Sequence, residues 1–222
     1  MNIYGYQKTT LLDYPGHVAA TIFTGGCNFR CPFCHNSDLV LNPFSSDFIP
    51  EEEIFKFLTK RKKVLSGICI TGGEPTLQTD LSEFIKKLRS LGYKIKLDTN
   101  GYRPDIISDL LNKNLLDYIA MDIKAGFSNY SRVSGISDVN TNQISKSISI
   151  IENSNIEYEF RTTVVKELHT KKDFHEITNM LSPESSYFIQ SFKDSENILM
   201  PGFSSCNIET LNEYLYIVKA NI

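Results

Sequence analysis

Short apolar runs alternate along the chain with longer stretches in which apolar positions recur every three or four residues. The runs predict β-strands at 18–23, 67–71, 94–99, 118–122, 157–164 and 187–191. Several are rich in β-branched and aromatic residues with few polar interruptions, as strands buried on both faces should be. The longer stretches predict helices at 51–65, 80–91, 103–114, 141–154, 171–181 and 207–219. The first opens at Pro50 with Glu51, Glu52 and Glu53, putting negative charge where a helix dipole favours it. In the second, Leu81, Phe84, Ile85, Leu88 and Leu91 share a face, and Gly92 ends it.

Six β-then-α units in series predict a parallel sheet covered by outer helices. They are too few for an eight-stranded barrel, so the expected fold is α/β, a partial (β/α)6 TIM-like barrel with an open sheet. No internal repeat, low-complexity tract or flexible linker interrupts the chain. It reads as one domain, with a lead-in at 1–17, a βα core at 18–191 and a loop and helix at 192–222.

Chemistry in such folds gathers at the C-terminal ends of the strands. The unusual polar residues fall there. Thr24-Gly-Gly-Cys27 follows the first strand, Gly72-Gly-Glu-Pro75 the second and Asp98-Thr-Asn-Gly101 the third. Asp122-Ile-Lys124 follows the fourth, and Arg161 lies within the fifth, where a charge needs a partner. Any one of these could be an ordinary turn, but together they mark one rim as a candidate site.

Composition narrows the class. In 222 residues, 41% are hydrophobic and 22% charged, which excludes disorder, collagen, a coiled coil and a disulfide-rich scaffold. A net charge of −3 gives no electrostatic reason to expect nucleic acid. No apolar run approaches the ~20 residues of a spanning helix, and the first residues lack a signal-peptide pattern, so the expectation is a cytoplasmic protein with no membrane partner. Thiols stay reduced in that compartment, and clustered cysteines read as metal ligands or redox groups.

The chain has five cysteines. Cys69, in an apolar strand, reads as a small buried hydrophobe; Cys206 follows Met200-Pro-Gly202 in a polar loop. The other three form Cys27-x3-Cys31-x2-Cys34. Thiolates suit zinc, Cu(I) or iron–sulfur clusters. A structural zinc site normally takes four ligands, commonly two separated pairs, and His35 is too close to Cys34 to complete one easily. Three cysteines leave one iron of a [4Fe–4S] cube open for a substrate or cofactor. His17, His169 and His175 read as structural or surface residues, and the eleven tyrosines and fourteen phenylalanines mostly as core.

The cysteine loop, with Phe33 before its last cysteine, resembles the radical S-adenosylmethionine (SAM) superfamily. Gly72-Gly-Glu74, Asp98-Thr-Asn-Gly101 and Asp122-Ile-Lys124 match in order. Within it the chain is most similar to glycyl-radical-enzyme activating enzymes, through Leu12-Asp-Tyr-Pro-Gly16, Cys34-His-Asn36 and Thr71-Gly-Gly-Glu-Pro-Thr-Leu-Gln78. It resembles both pyruvate formate-lyase activating enzyme and the anaerobic ribonucleotide reductase activating proteins, a short subgroup of the latter most. The resemblance covers residues 1–165, and the last 55 or so only loosely. Activators of this family often carry Asp-Gly-Pro-Gly where this chain has Asp13-Tyr-Pro-Gly16, which points away from pyruvate formate-lyase. Between Cys34 and Gly72 the one cysteine is Cys69, inside a predicted strand, so there is no second cysteine group and a single cluster is implied.

The resemblance implies that Cys27, Cys31 and Cys34 hold a [4Fe–4S] cluster whose open iron binds SAM. Reductive cleavage of SAM would give a 5′-deoxyadenosyl radical, which takes hydrogen from a glycine of a partner enzyme, here anaerobic (class III) ribonucleoside-triphosphate reductase. Flavodoxin or ferredoxin would donate the electron. Gly72 and Gly73 would let the backbone approach the methionine end of SAM, and the Gly73 backbone and Glu74 side chain would receive its ammonium. Asp98, Asn100, Asp122, Lys124 and Arg161 would surround the rest of the methionine and the ribose. Phe33 and Asn36 would meet the adenine, and Gln190 the ribose. A small-molecule or peptide-modifying radical SAM enzyme, such as the carboxy-deazaguanine synthase type, is the alternative. A non-catalytic metal-binding module would leave the later motifs without purpose.

Overall fold

The computed structural model describes residues 1–41 and 48–220. Seven strands form one sheet in chain order: β1 (Ile3–Thr10), β2 (Ala19–Thr24), β3 (Gly67–Gly72), β4 (Lys94–Thr99), β5 (Tyr118–Asp122), β6 (Glu157–Val164) and β7 (Tyr187–Ser191). From β2 to β7 every pairing is parallel, and β7 does not return to β1, so the barrel is partial and open.

The six parallel strands lie where the apolar runs predict them, within a residue at each end. The correction is β1. The segment expected as a lead-in is a strand paired antiparallel to β2, from Ile3 opposite Thr24 to Thr10 opposite Ala19. It escapes the pattern because Gln7, Lys8 and Thr9 are polar and exposed, as an edge strand allows.

Among the described residues the α-helices are α1 (Ser37–Leu41), α2 (Glu51–Arg61), α3 (Leu81–Ser90), α4 (Pro104–Asn112), α5 (Tyr130–Ser134), α6 (Thr141–Glu152), α7 (Lys171–Thr178) and α8 (Ile208–Lys219). α3 buries Leu81, Phe84, Ile85 and Leu88, one stripe at helical spacing, and Gly92 beyond its end has φ +89°. Thr170 and Asp173 form a reciprocal capping box at the start of α7. The short α1 and α5 were not expected; each is only five residues long, too brief for a periodic signal.

The main core lies between sheet and helices. A second, small cluster of Tyr14, Ala19, Tyr118 and Ala120 fills the barrel at the end away from the strand C-termini. There Asp13 accepts a hydrogen bond from Thr21 Oγ1 at 2.5 Å, and the Tyr14 ring meets that of Tyr118 at 5.9 Å. The Asp13-Tyr-Pro-Gly16 segment is thus a plug under the barrel.

Candidate active site

The C-terminal ends of β2 to β6 open into a cavity of about 190 Å³, far more than a few waters would fill and large enough for part of an organic ligand. Thirteen of the fourteen cluster and cofactor residues expected from sequence line it: Cys27, Cys31, Phe33, Cys34, Asn36, Gly72, Gly73, Glu74, Asp98, Asn100, Asp122, Lys124 and Arg161. Gln190 does not. Its side chain is exposed and accepts from Thr163 Oγ1 at 3.3 Å.

The cysteine loop is fixed from both sides. Glu74 N–H donates to the Gly26 carbonyl and Gly73 N–H to the Thr24 carbonyl, each at 2.8 Å. The two chains pass so closely that a Cβ on Gly73 would stand 2.0 Å from Gly26 O. Gly72, with φ +121°, has the Thr24 backbone 2.3 Å from any Cβ, so only glycine fits at either position. On the other side, Leu199 N–H donates to the Cys34 carbonyl and Met200 N–H to that of Pro32. The His35 ring bonds the Lys193 carbonyl at 2.5 Å and lies 5.3 Å from Phe192, an engagement that explains its position without ligation.

The thiols fit an iron–sulfur cluster by their chemistry. Burial pushes Cys27 up to about 12 and Cys31 up to about 11, so iron must displace protons to bind them. Cys27 Sγ accepts from Phe29 N–H at 3.4 Å and from Asn100 Nδ2 at 3.8 Å, the kind of hydrogen bonding that tunes cluster potentials. Among the described residues no three His, Cys, Asp or Glu side chains converge on one ion. The three thiols instead stand around a shared cavity.

Opposite the cysteines is a ladder of half-buried charge. Asp122 Oδ1 accepts from Arg161 Nε and Oδ2 from Lys124 Nζ, both at 3.0 Å. Burial alone would raise the Asp122 carboxyl, but the two cations outweigh it and hold it well below the usual carboxylate range. Asp122 in turn keeps Lys124 and Arg161 charged against their own burial. Arg161, whose position in a strand demanded a partner, also reaches Asp98 and Glu159 at 3.5 Å.

Glu74 stands differently from expectation. It is only 1% exposed, and both its oxygens already accept protein donors. Oε1 takes Thr76 N–H, Thr76 Oγ1 and Thr99 Oγ1, and Oε2 takes Asn100 N–H at 2.7 Å. Burial raises its carboxyl, and those donors pull it back. The geometry makes Glu74 a latch that locks the ends of β3 and β4 together. Asn100 serves the same end, donating from Nδ2 to Asn28 Oδ1 at 2.8 Å, while Asn36 Nδ2 donates to the Gly72 carbonyl at 3.0 Å.

Sequence reasoning missed Lys96 and Glu159. Lys96, 1% exposed, bonds Asp98 Oδ1 at 2.6 Å and sits 3.8 Å from Glu159. The signal was present: Lys96 alternates with Ile95 and Leu97 in a central strand, so its side chain must enter the barrel. His169 is structural, as expected, and its burial lowers its basicity. Its Nε2 bonds the Lys124 carbonyl at 2.8 Å, and its ring meets that of Phe33 edge-on at 6.4 Å.

The family model for the radical SAM superfamily matches residues 21–181. A candidate glycyl-radical enzyme activating enzyme of Methanocaldococcus jannaschii is 32% identical over 198 residues, 87% of this chain and 81% of that protein. The pyruvate formate-lyase-activating enzyme of Clostridium pasteurianum is 30% identical over 127 residues, 55% of this chain and 52% of that one. The fold matches Streptococcus suis SuiB bound to S-adenosylmethionine with a TM-score of 0.67 at 15% identity, across 88% of this chain and 46% of that one. The chain thus spans about half of the second relative and less than half of SuiB. No helix among the described residues is long and apolar enough to cross a membrane. Three thiols, a glycine-built loop and a charge ladder on the rim of an open barrel agree with that match, and the chain belongs to the radical SAM superfamily, whose members use a [4Fe–4S] cluster and S-adenosylmethionine.

Proposed function

We propose that the protein is an activase that generates a glycyl radical on a partner enzyme, the anaerobic class III ribonucleoside-triphosphate reductase. The observation that carries the reading is the similarity to an activating enzyme over 87% of the chain, together with a second, shorter match to another activase. The choice of reductase rests on Asp13-Tyr-Pro-Gly16. Tyr14 fills the lower barrel with a ring that the glycine of an Asp-Gly-Pro-Gly motif could not supply.

In this reading Cys27, Cys31 and Cys34 hold the cluster. When bound, cluster and SAM together supply an electron and a 5′-deoxyadenosyl radical that removes a hydrogen atom from glycine. The protein positions and shields them. Lys124 and Arg161 offer charge to the methionine carboxylate, and Asp98 and Asp122 accept from ammonium or hydroxyl groups. Gly72 and Gly73 keep the rim free of side chains, with Phe33 and Asn36 toward the adenine. Glu74 acts as the latch that aligns Asn100 with the cysteine loop and meets the ammonium only with the lone pairs its protein donors leave. Flavodoxin or ferredoxin supplies the electron in a cytoplasmic setting.

Isotope transfer tests the reading. Reductase labelled with deuterated glycine, incubated anaerobically with the reconstituted protein, SAM and a reductant, is expected to pass deuterium into 5′-deoxyadenosine. Unlabelled 5′-deoxyadenosine formed at the same rate with and without the reductase would overturn the partner assignment.

A further inference from the structure

The sheet ends on two open edges, and they are finished differently. On β1 the register against β2 breaks between Ile3 and Gly5 and again between Gln7 and Thr10, and the Ile3 carbonyl is taken by Ile49 N–H at 2.8 Å. Lys8 also lies on that strand. Irregular register and lysine are devices that stop a foreign strand from pairing. β7 has neither. Tyr187-Phe-Ile-Gln-Ser191 carries no charge and no proline, and it pairs with β6 without a break from Phe160 opposite Tyr187 to Val164 opposite Ser191.

That register fixes which main-chain groups of β7 remain. Phe160 N–H donates to the Ser186 carbonyl at 2.8 Å and Phe192 N–H to the Val164 carbonyl at 3.2 Å. By the regular alternation of a parallel ladder, Phe188 and Gln190 also face β6, and the N–H and C=O of Tyr187, Ile189 and Ser191 point away from it. Among the described residues no backbone group bonds those outward positions.

The edge borders the cavity. Arg161 and Thr163, which line it, stand in register with Phe188 and Gln190, and Phe188 is 48% exposed. A strand added to β7 would lie one strand spacing, about 4.8 Å, beyond it. Its main chain would run along the open side of the barrel. A glycine offers no side chain to grip, so a site that acts on glycine must recognise backbone, and strand addition does so.

We propose that the β7 edge docks the polypeptide substrate: an extended segment carrying the target glycine pairs with Tyr187, Ile189 and Ser191 as an eighth strand. This rests on the activase reading.

Two substitutions separate backbone from side chain. Ile189→Pro deletes one outward N–H without touching the β6 ladder, and an edge tolerates proline. Ile189→Ala removes the side chain and keeps the N–H. With anaerobic reductase as partner, I189P is expected to raise the reductase concentration for half-maximal glycyl-radical yield tenfold or more, and I189A less than twofold. In hydrogen–deuterium exchange of the reconstituted wild-type protein, adding reductase is expected to protect three amides within 187–191, a readout that does not depend on either variant folding. Equal behaviour of the two variants, or unchanged exchange in this segment under conditions that yield the radical, overturns the docking edge alone. A wild-type protein that cleaves SAM but never transfers the radical to the reductase overturns the activase reading, and this proposal with it.

Discussion

Gly73→Ala tests whether the close passage of two loops builds the cysteine site. The new Cβ would stand 2.0 Å from Gly26 O, where real Cβ atoms do not come within 3.0 Å, so the carbonyl must retreat by 3.0 − 2.0 = 1.0 Å or more. That carbonyl accepts the Glu74 N–H at 2.8 Å, and such a retreat takes the bond out of range. Leaving those groups unpaired costs about 1–3 kcal/mol. Overpacking against backbone adds about 1–3 kcal/mol. The expected loss is therefore about 4 kcal/mol, measured by guanidinium unfolding of the metal-free, reduced protein. Iron content after reconstitution should fall as well, because Gly26 adjoins Cys27. Gly5→Ala is the control, since nothing lies within 4 Å of its Cβ and the change should be neutral or stabilising by up to about 1 kcal/mol. A Gly73→Ala protein within about 1 kcal/mol of wild type and fully loaded with iron would refute the reasoning.

Other substitutions probe the rest of the site. Cys31→Ala should abolish the four-iron cluster, and Cys69→Ala, at a fully buried position away from the cavity lining, should keep it; iron and sulfide analysis distinguishes them. Lys96→Met leaves Arg161 as the one cation, among the described residues, paired with Asp98 and Glu159 and should cost about 3–5 kcal/mol in chemical unfolding. Asp122→Asn strips Lys124 and Arg161 of a shared partner that is one-third exposed to the cavity, so the cost should be smaller, about 1–3 kcal/mol. Because Asp122 is held below its ordinary value of 3.8, its contribution is present above that pH and lost as pH falls below it. The difference between wild type and D122N should therefore shrink on acidification from pH 6 to pH 3.

The parallel strands were legible because β2, β3 and β5 are almost wholly apolar and buried, while in β4 and β6 apolar residues alternate with the charged ones. β1 was not, because Gln7, Lys8 and Thr9 face solvent at an edge and read as a polar lead-in. The site was legible as a set of positions: strand ends fix which residues meet, and thirteen of the fourteen expected there line one cavity, Gln190 being the exception. What those residues do to one another was harder to read. Glu74 looks from sequence like a group waiting for a ligand, and only the folded arrangement shows Thr76, Thr99 and Asn100 converging on it. Lys96 was passed over because lysine is usually solvated, although its place in a central strand leaves it nowhere to go but inward.

The activase claim is tested most directly by anaerobic EPR. The reconstituted, reduced protein is mixed with SAM and the class III reductase, with pyruvate formate-lyase as a parallel sample. The account predicts a glycyl-radical doublet on the reductase and none on the lyase. Absence of the doublet from both samples, with 5′-deoxyadenosine still accumulating, would contradict it and move the substrate elsewhere.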